Sequence, residues 1–382
     1  MYFVHPQIAL NKKNFKKIFF SFFQTPDLEA LNKKLAFYFP KKQIIFTDMG
    51  RSAFRIMIEK MNLRNTEMLF PAYICDTFFP IFKRYNIKPI FLDADIKTFN
   101  IKIEEIEKKI TPQTSSIFVS HIYGLPNNIT KIVSIAKKHN LKVIEDCAHS
   151  FGIKKGKNYL GNFGDASLFS LYKFLPVCRG GMLVCPKDWK IALEETSFNP
   201  RDFISFLNHF SFWALLFKKF GGLVSPKIIR KEKLFQIGGI NKVSLMLFSC
   251  FFEEHQKNLN KRIKLASFFQ KELKSLGFEI QKKKNNSFCY LSALMPERLK
   301  NQRQEFIKRL RKKGVSCTKM WHTPLIFNSE LQKKYKLDSN NFPNAVNISQ
   351  RIINFPLQDS FQKKDIKEII GKIKSTCLDI KV

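Results

Sequence analysis

The stretch that decides the fold is KVIEDCAHS (residues 142–150), continued by GNFGDASLFSLYKFLPVCRGG (residues 161–181). Val143 and Ile144 close an apolar run, and the acids Glu145 and Asp146 follow at its carboxyl end. In open α/β sheets, ligands sit at the carboxyl ends of strands. A second short run, 167–171, leads into Lys173 and then the pair Gly180 and Gly181. A lysine and a carboxylate on neighbouring strand ends suit an aldehyde cofactor with a basic ring nitrogen. The lysine condenses with the aldehyde, and the carboxylate keeps the ring nitrogen protonated so that the ring accepts electrons.

Around this stretch, strand-like runs at 68–70, 89–92, 117–120, 142–144, 167–170 and 182–185 alternate with helix-like segments at 76–85, 102–109 and 129–139. That alternation predicts an α/β fold with a largely parallel central sheet flanked by helices. Ahead of it, IIFTDMGRSAFRIMIEKM (44–61) reads as a short strand, a turn at Gly50 and a helix, with Ala53, Ile56, Met57 and Met61 at near-helical spacing. A glycine and a hydroxyl residue at a helix start suit a phosphate, because the first-turn N–H groups point outward unpaired; a simple capped helix fits the same residues. Beyond about residue 245 the pattern becomes α+β: a long helix over 251–276, a strand over 288–294 and a helix over 302–313. A last helix is capped by Ser360 and has Ile366, Ile369, Ile370 and Ile373 on its apolar side. The division is a large α/β domain over 1–245 and a smaller C-terminal α+β domain over 246–382.

A chain of 382 residues can bury one large core and a second, smaller one. Its net charge of +35 is compatible with nucleic acid, an anionic membrane or polyanionic substrates. The lysines scatter through every segment, however, which reads as a solvated surface, and no aromatic-basic or recognition-helix motif points to nucleic acid. None of the eight cysteines pairs as C-x-x-C, and most sit in apolar runs, so reduced, buried thiols in a cytoplasmic protein are expected, with neither disulfides nor a metal site. The first residues lack the features of a signal peptide. The apolar stretch 203–217 is too short and too polar-broken for a membrane span, which needs ~20 apolar residues. It reads as a buried or dimer-contact insertion, with peripheral membrane contact as the lesser alternative.

Several segments carry a resemblance: IEDCAHS (144–150), the G-x-x-G-D passage (161–165), FSLYK (169–173) and the distal Gly180-Gly181. Together they resemble the DegT/DnrJ/EryC1/StrS family of nucleotide-sugar aminotransferases, pyridoxal-phosphate enzymes of the aspartate-aminotransferase fold type. LDADIKTFNI matches that family's pattern at Asp93, Asp95, Thr98 and Asn100, and SHIYGLP (120–126) resembles a loop lining its cofactor pocket. His121, taken alone, reads as a structural histidine. The ending FPNAVNISQRIINFPLQDS is similar as well, and the likeness thins over about 186–240, a diverged insertion.

The resemblance implies specific roles. Lys173 would hold pyridoxal 5′-phosphate as a Schiff base and shuttle the proton. Asp146 would face the pyridine nitrogen, and His149 would lie near the phenolic oxygen. Gly50, Arg51, Ser52 and Ser170 would meet the phosphate, joined from a partner subunit by Lys242, which stands where the family has arginine. In PAYICDT (71–77), Cys75 takes the place of the aromatic that covers the cofactor ring, leaving Tyr73 or another side chain to do so. His322 would contact substrate. The interval from Ser170 to Lys173 is two residues shorter than in many members, whereas that from Lys173 to Gly180 agrees. The implied protein is a cytoplasmic homodimeric aminotransferase of cell-surface polysaccharide biosynthesis, acting on a nucleotide-activated keto-sugar with glutamate as amino donor. A dehydratase is disfavoured by the retained lysine. The alternative reading is a catalytically impaired cofactor-binding regulatory or scaffold protein of a polysaccharide assembly pathway.

Overall fold

The computed structural model describes residues 2–4, 10, 14–21, 23–199, 206–207, 237–282 and 285–380. Seven strands form the central sheet: β1 (Gln43–Thr47), β2 (Glu67–Pro71), β3 (Lys88–Leu92), β4 (Thr114–Ser120), β5 (Lys142–Asp146), β6 (Ala166–Ser170) and β7 (Gly181–Cys185). Their order is β1-β7-β6-β5-β4-β2-β3. The run from β6 to β3 is parallel throughout, and β7 lies antiparallel to both β6 and β1. This is the largely parallel α/β sheet read from the sequence.

Alternation along the strands explains why both faces are covered. Phe70, Phe118, Ile144, Leu168 and Leu183 join one buried cluster, while Leu69, Ile117, Val143, Phe169 and Met182 join another. Successive strand residues point to opposite faces, so strands apolar at every position need a core on each side. Helix α1 (Gly50–Lys60) buries residues 52–58. α2 (Phe79–Tyr85) follows a 3-10 turn over Asp76–Phe78, with a proline in its first turn. α3 (Ile129–Lys138) buries Ile129, Ile132 and Ala136, which share one helical stripe.

Four expectations are corrected. Residues 102–109 form two 3-10 turns, Ile103–Glu105 and Glu107–Lys109, since Ile103 and Ile106 repeat at the three-residue spacing of that helix. Phe251 and Phe252 end a separate helix, α4 (Lys242–Phe252), capped by Asn241, so the long helix expected over 251–276 is present but starts later, as α5 (His255–Ser275). Ion pairs from Lys34 to Glu253 and Lys17 to Glu254 lie at the break. The strand expected from 288 is confined to β9 (Leu291–Leu294), because Phe288 has a left-handed backbone (φ 49). Ser360 does not cap the last helix, which starts at Lys363 and has the Asp365 carboxylate accepting from the Gln362 N–H at 2.8 Å.

The second sheet joins β8 (Glu279–Ile280), β9 and β10 (Ile352–Phe355) in antiparallel order. α6 (Arg303–Lys312) and α8 (Lys363–Ile380) enclose a third buried cluster with it. α7 (Pro343–Arg351) docks on the large sheet: the Asp93 carboxylate, just past β3, accepts from the backbone N–H groups of Asn344 (3.1 Å) and Ala345 (2.8 Å). A carboxylate at a helix N-terminus satisfies unpaired donors and opposes the dipole there. The chain start crosses to this part of the molecule, with Tyr2–Phe3 pairing alongside Val315–Ser316. Among the described residues, no helix is long and apolar enough to cross a membrane. The apolar stretch 203–217 lies, apart from 206–207, outside the described residues.

Candidate active site

The carboxyl ends of β4, β5 and β6 bring the site together. Ser120 and Asp146 end β4 and β5 as direct register partners. Asp146 is buried, and its carboxylate accepts from the Ser120 hydroxyl at 2.7 Å and the Ala148 N–H at 2.9 Å. Among the described residues it has no ion-pair partner. Beyond β6 a single 3-10 turn, Leu171–Lys173, ends on the lysine, whose Nζ lies 2.9 Å from Nε2 of His149. His149 is held in turn by the Ser287 hydroxyl, which donates to its carbonyl at 2.5 Å. Burial works against the Lys173 ammonium, yet its electrostatic interactions with Tyr172, Cys289, Asp146 and Cys75 outweigh it and raise the pKa. Of these four, only a carboxylate is ordinarily ionised at neutral pH. Lys173, Asp146 and His149 are therefore gathered as the sequence predicted.

A second group of residues surrounds the start of α1. Met49 precedes it without a side-chain cap. A Cβ on Gly181 would lie 2.3 Å from the Met49 carbonyl carbon and 2.4 Å from the Gly50 nitrogen, so only glycine lets β7 approach this closely. Ser170 pairs with Gly181 across the sheet, and its hydroxyl makes no hydrogen bond among the described residues. Ser52, by contrast, is buried and donates to Asp48 at 2.5 Å. Burial raises the Asp48 pKa against the pull of Ser52 and of Arg179. Arg51 and Arg179 both reach the Met49 sulfur, at 3.3 and 2.9 Å, and Arg179 also approaches Asp48 at 3.5 Å. Arg179 was missed in the sequence; its place directly ahead of Gly180-Gly181 was the available signal. Lys242 is exposed at the start of α4. The segment before it follows β1, where Gly238 accepts from the Asp48 N–H at 2.8 Å.

The third wall comes from the C-terminal part. Tyr73 and Tyr123 are fully buried with hydroxyls 2.7 Å apart, and both lie near the Met320 carbonyl, at 3.1 and 2.9 Å. The ring of Trp321 stacks on Tyr123 (centroids 5.1 Å apart) and on His149 (5.5 Å). His322 is exposed, with Nδ1 3.1 Å from the Lys319 carbonyl; burial of its ring and the charge of Lys319 lower its pKa. Cys75, Trp321 and His322 line one cleft of about 420 Å³. The Cys75 thiol is pushed up by burial, while Thr77 and the Lys173 charge pull it down. Trp321, not His322, is the residue of this loop that packs on His149, and its spacing in VSCTKMWHTPL gave no hint of that contact.

His121, Glu145 and Cys147 bring three potential metal-ligand atoms within 4.8 Å of one another, all buried. They are already engaged. Glu145 accepts from the N–H groups of Gly161, Phe163 and Gly164 at 2.7–3.0 Å and faces His121 Nε2 at 3.3 Å. His121 Nδ1 accepts from the Asn127 N–H at 3.1 Å, which leaves Nε2 as the protonated nitrogen. Burial and the neighbouring Glu145 hold Cys147 as a thiol.

The donor set fits pyridoxal phosphate. A buried carboxylate is fixed by two donors without a cation of its own, and an amine stands in the turn that follows the next strand. The open Ser170 hydroxyl lies beside Gly181, which lets β7 pack against the start of α1. A family model described as the DegT/DnrJ/EryC1/StrS aminotransferase family matches residues 12–199 and 246–374. The chain is 25% identical over 361 residues to a dTDP-4-amino-4,6-dideoxy-D-glucose transaminase of Shigella dysenteriae, covering 91% of this chain and 90% of the relative. It is 20% identical over 356 residues to a GDP-perosamine synthase of Vibrio cholerae, with 91% and 90% covered. Its fold is similar to that of a putative sugar aminotransferase of Streptococcus pneumoniae in its PMP form, at TM-score 0.77 and 14% identity over 98% of both chains.

Proposed function

Because this chain belongs to the DegT/DnrJ/EryC1/StrS aminotransferase family, we propose that it moves an amino group from glutamate to a nucleotide-linked keto-sugar, in the cytoplasm, for a cell-surface polysaccharide. The protein is a pyridoxal-phosphate-dependent aminotransferase. The observation that carries the reading of its site is the 2.9 Å contact between Lys173 Nζ and His149 Nε2 beside the buried Asp146 carboxylate. An amine so placed argues for catalysis over the scaffold alternative.

When bound, the cofactor supplies an aldehyde that exchanges amino groups and a ring that accepts an electron pair. Lys173 Nζ would hold it, and the same nitrogen, once free, is the base that moves the proton, oriented by His149. Asp146 keeps a proton on the ring nitrogen; the Ser120 and Ala148 donors orient it, and burial strengthens the pairing. Ser170, the start of α1 at Gly50, Arg51 and Arg179 form the anion end, where the positive end of the helix dipole and two guanidinium groups favour a phosphate, although the Ser52 N–H is already taken by the Met49 carbonyl at 3.0 Å. Ser52 supports that end through Asp48. Tyr73 acts through the hydroxyl chain to Met320 and not through an open ring face.

A homodimer is part of the reading. Tyr172, next to Lys173, is 53% exposed, and Lys242 projects at the start of α4, so both are available to a second copy. The boundary placed at 245/246 falls within α4, which packs in the core of the large sheet; a division at the 253–254 turn suits that packing better. Transfer from glutamate to a panel of nucleotide-linked keto-sugars, followed as 2-oxoglutarate, tests the function. Cofactor-loaded protein that aminates none of them would sink it.

A further inference from the structure

Trp321 sits on a left-handed backbone (φ 58), a conformation that a bulky residue keeps only when its surroundings hold it. What holds it is a chain of hydroxyls. Tyr73 donates to Tyr123, Tyr123 donates to the Met320 carbonyl, and the Met320 N–H donates to the Asn354 side chain at 2.7 Å. With one proton on each phenol, this order uses the 2.7 Å and 2.9 Å contacts and leaves the 3.1 Å one as the weaker approach. Tyr123 is itself left-handed (φ 56). Two residues in sparsely populated conformations thus meet at one contact between the sheet and the C-terminal part.

The ring geometry shows which face of the indole is used. Its centroid lies 5.1 Å from Tyr123 and 5.5 Å from His149, with planes 19° and 29° apart. Tyr73, edge-on to the indole at 5.7 Å, lies 6.3 Å from Tyr123 on the same side. The rings of Tyr123 and His149 are 6.1 Å from each other. An indole clamped between them would hold them at about the sum of its two spacings, so both lie under one face. Trp321 also lines the cleft that contains Cys75, Lys319 and His322. Its outer face is therefore a flat apolar wall at the entrance, one ring removed from Lys173 Nζ.

A substrate must bring its reacting carbon to that nitrogen. The part of a nucleotide-linked sugar nearest Trp321 is then the sugar ring, because the base lies a ribose and two phosphates further out. We propose that Trp321 is the specificity-determining residue for the hexose, packing its outer face against the C–H face of the pyranose. This rests on the sugar-aminotransferase reading and names the residue that would sort its substrates.

The test is calorimetric binding to the cofactor-loaded protein, with UDP-glucose, GDP-mannose and dTDP-glucose as probes beside UDP, GDP and dTDP. For at least one pair, the native protein should bind the sugar nucleotide roughly tenfold more tightly than the nucleotide alone. Trp321→Ala should bring that ratio close to one. Trp321→Leu, which keeps the loop apolar but lacks a flat ring, should do the same, and Trp321→Phe should retain most of the ratio. Thermal midpoints identify a variant that fails to fold, in which case the leucine and phenylalanine proteins decide. A ratio unchanged in the alanine and leucine proteins overturns the proposal. So does an equal loss for nucleotide and sugar nucleotide, which would mean that Trp321 only shapes the loop. A native ratio of one in a protein that aminates keto-sugars overturns this inference alone; failure to aminate any keto-sugar defeats the reading beneath it.

Discussion

Lys173 Nζ lies 2.9 Å from His149 Nε2, although the two residues sit on different strand connections twenty-four positions apart. The contact exists because β5 and β6 are parallel neighbours, with Asp146 in register with Leu168. Both connections therefore leave the same edge of the sheet, and the turn after Asp146 folds back toward the turn after Ser170. Replacing Lys173 by alanine removes the amine and leaves the strand ends intact. Amino transfer should fall by about 10³-fold or more, and the visible absorption of bound cofactor should shift or vanish. Unchanged absorption and turnover in that variant would take Lys173 out of its role. His149→Gln, which keeps a polar group near Nζ, should lose less activity than His149→Ala.

Asp146→Asn keeps the shape but removes the charge and changes what the side chain can accept. The Ser120 and Ala148 donors now aim at a neutral amide. Amino transfer should drop about 10²–10⁴-fold with little change in thermal midpoint. Ser120→Ala removes one orienting bond, worth ~1 kcal/mol, and should cost less than tenfold. Steady-state rates across the three proteins check the ranking, and an asparagine variant as active as the native protein would separate Asp146 from the chemistry.

Gly181 supplies a test of the fold where it meets the site. A methyl group there collides with the backbone of Met49 and Gly50, which cannot move aside as a flexible side chain would. Gly181→Ala should destabilise the protein by about 1–3 kcal/mol and weaken cofactor retention. Gly371, inside α8, has nothing within 4 Å of the place a methyl group would take. Gly371→Ala should stabilise by up to ~1 kcal/mol, because alanine loses less backbone freedom in a helix. Denaturant midpoints with opposite signs are expected, and equal effects would refute the close-approach argument.

The sheet was legible because its strands are apolar at consecutive positions and separated by helical spacing, a pattern that a structure covered on both faces imposes. That Lys173, Asp146 and His149 meet was legible because each lies at or just past a strand end on one edge of the sheet. What escaped were the partners that side chains take, near and far along the chain. The hydroxyl of Ser52 looks available in sequence, yet Asp48 four residues earlier takes it. Trp321 packs over Tyr123 and His149, some two hundred residues away, and nothing beside it in the chain points to them. The ion pairs at the helix break, at 253–254, are made by lysines from the first forty residues, which no window around 250 contains.

His255 makes the pH dependence specific. It opens α5, is 4% exposed, and packs against Phe151 and Phe174, the residue after Lys173. Nε2 lies 3.2 Å from the Phe151 carbonyl, so the neutral ring donates there. Burial lowers its pKa from 6.5 to about 4, against the small upward pull of that carbonyl. The unfolded chain therefore binds a proton between about pH 6.5 and 4 that the folded chain refuses. Stability rises with pH in a window where the unfolded state holds more protons. The contribution is fully present above 6.5 and is lost as the pH falls toward 4, by ~3 kcal/mol from this group once the pH is below both values. His255→Gln keeps a donor for Phe151 but cannot titrate. Urea unfolding at pH 7, 6, 5 and 4.5 should show native stability falling more steeply than that of the glutamine variant. Parallel curves for the two proteins would mean that His255 is protonated in the folded state and that its burial is relieved by motion of α5.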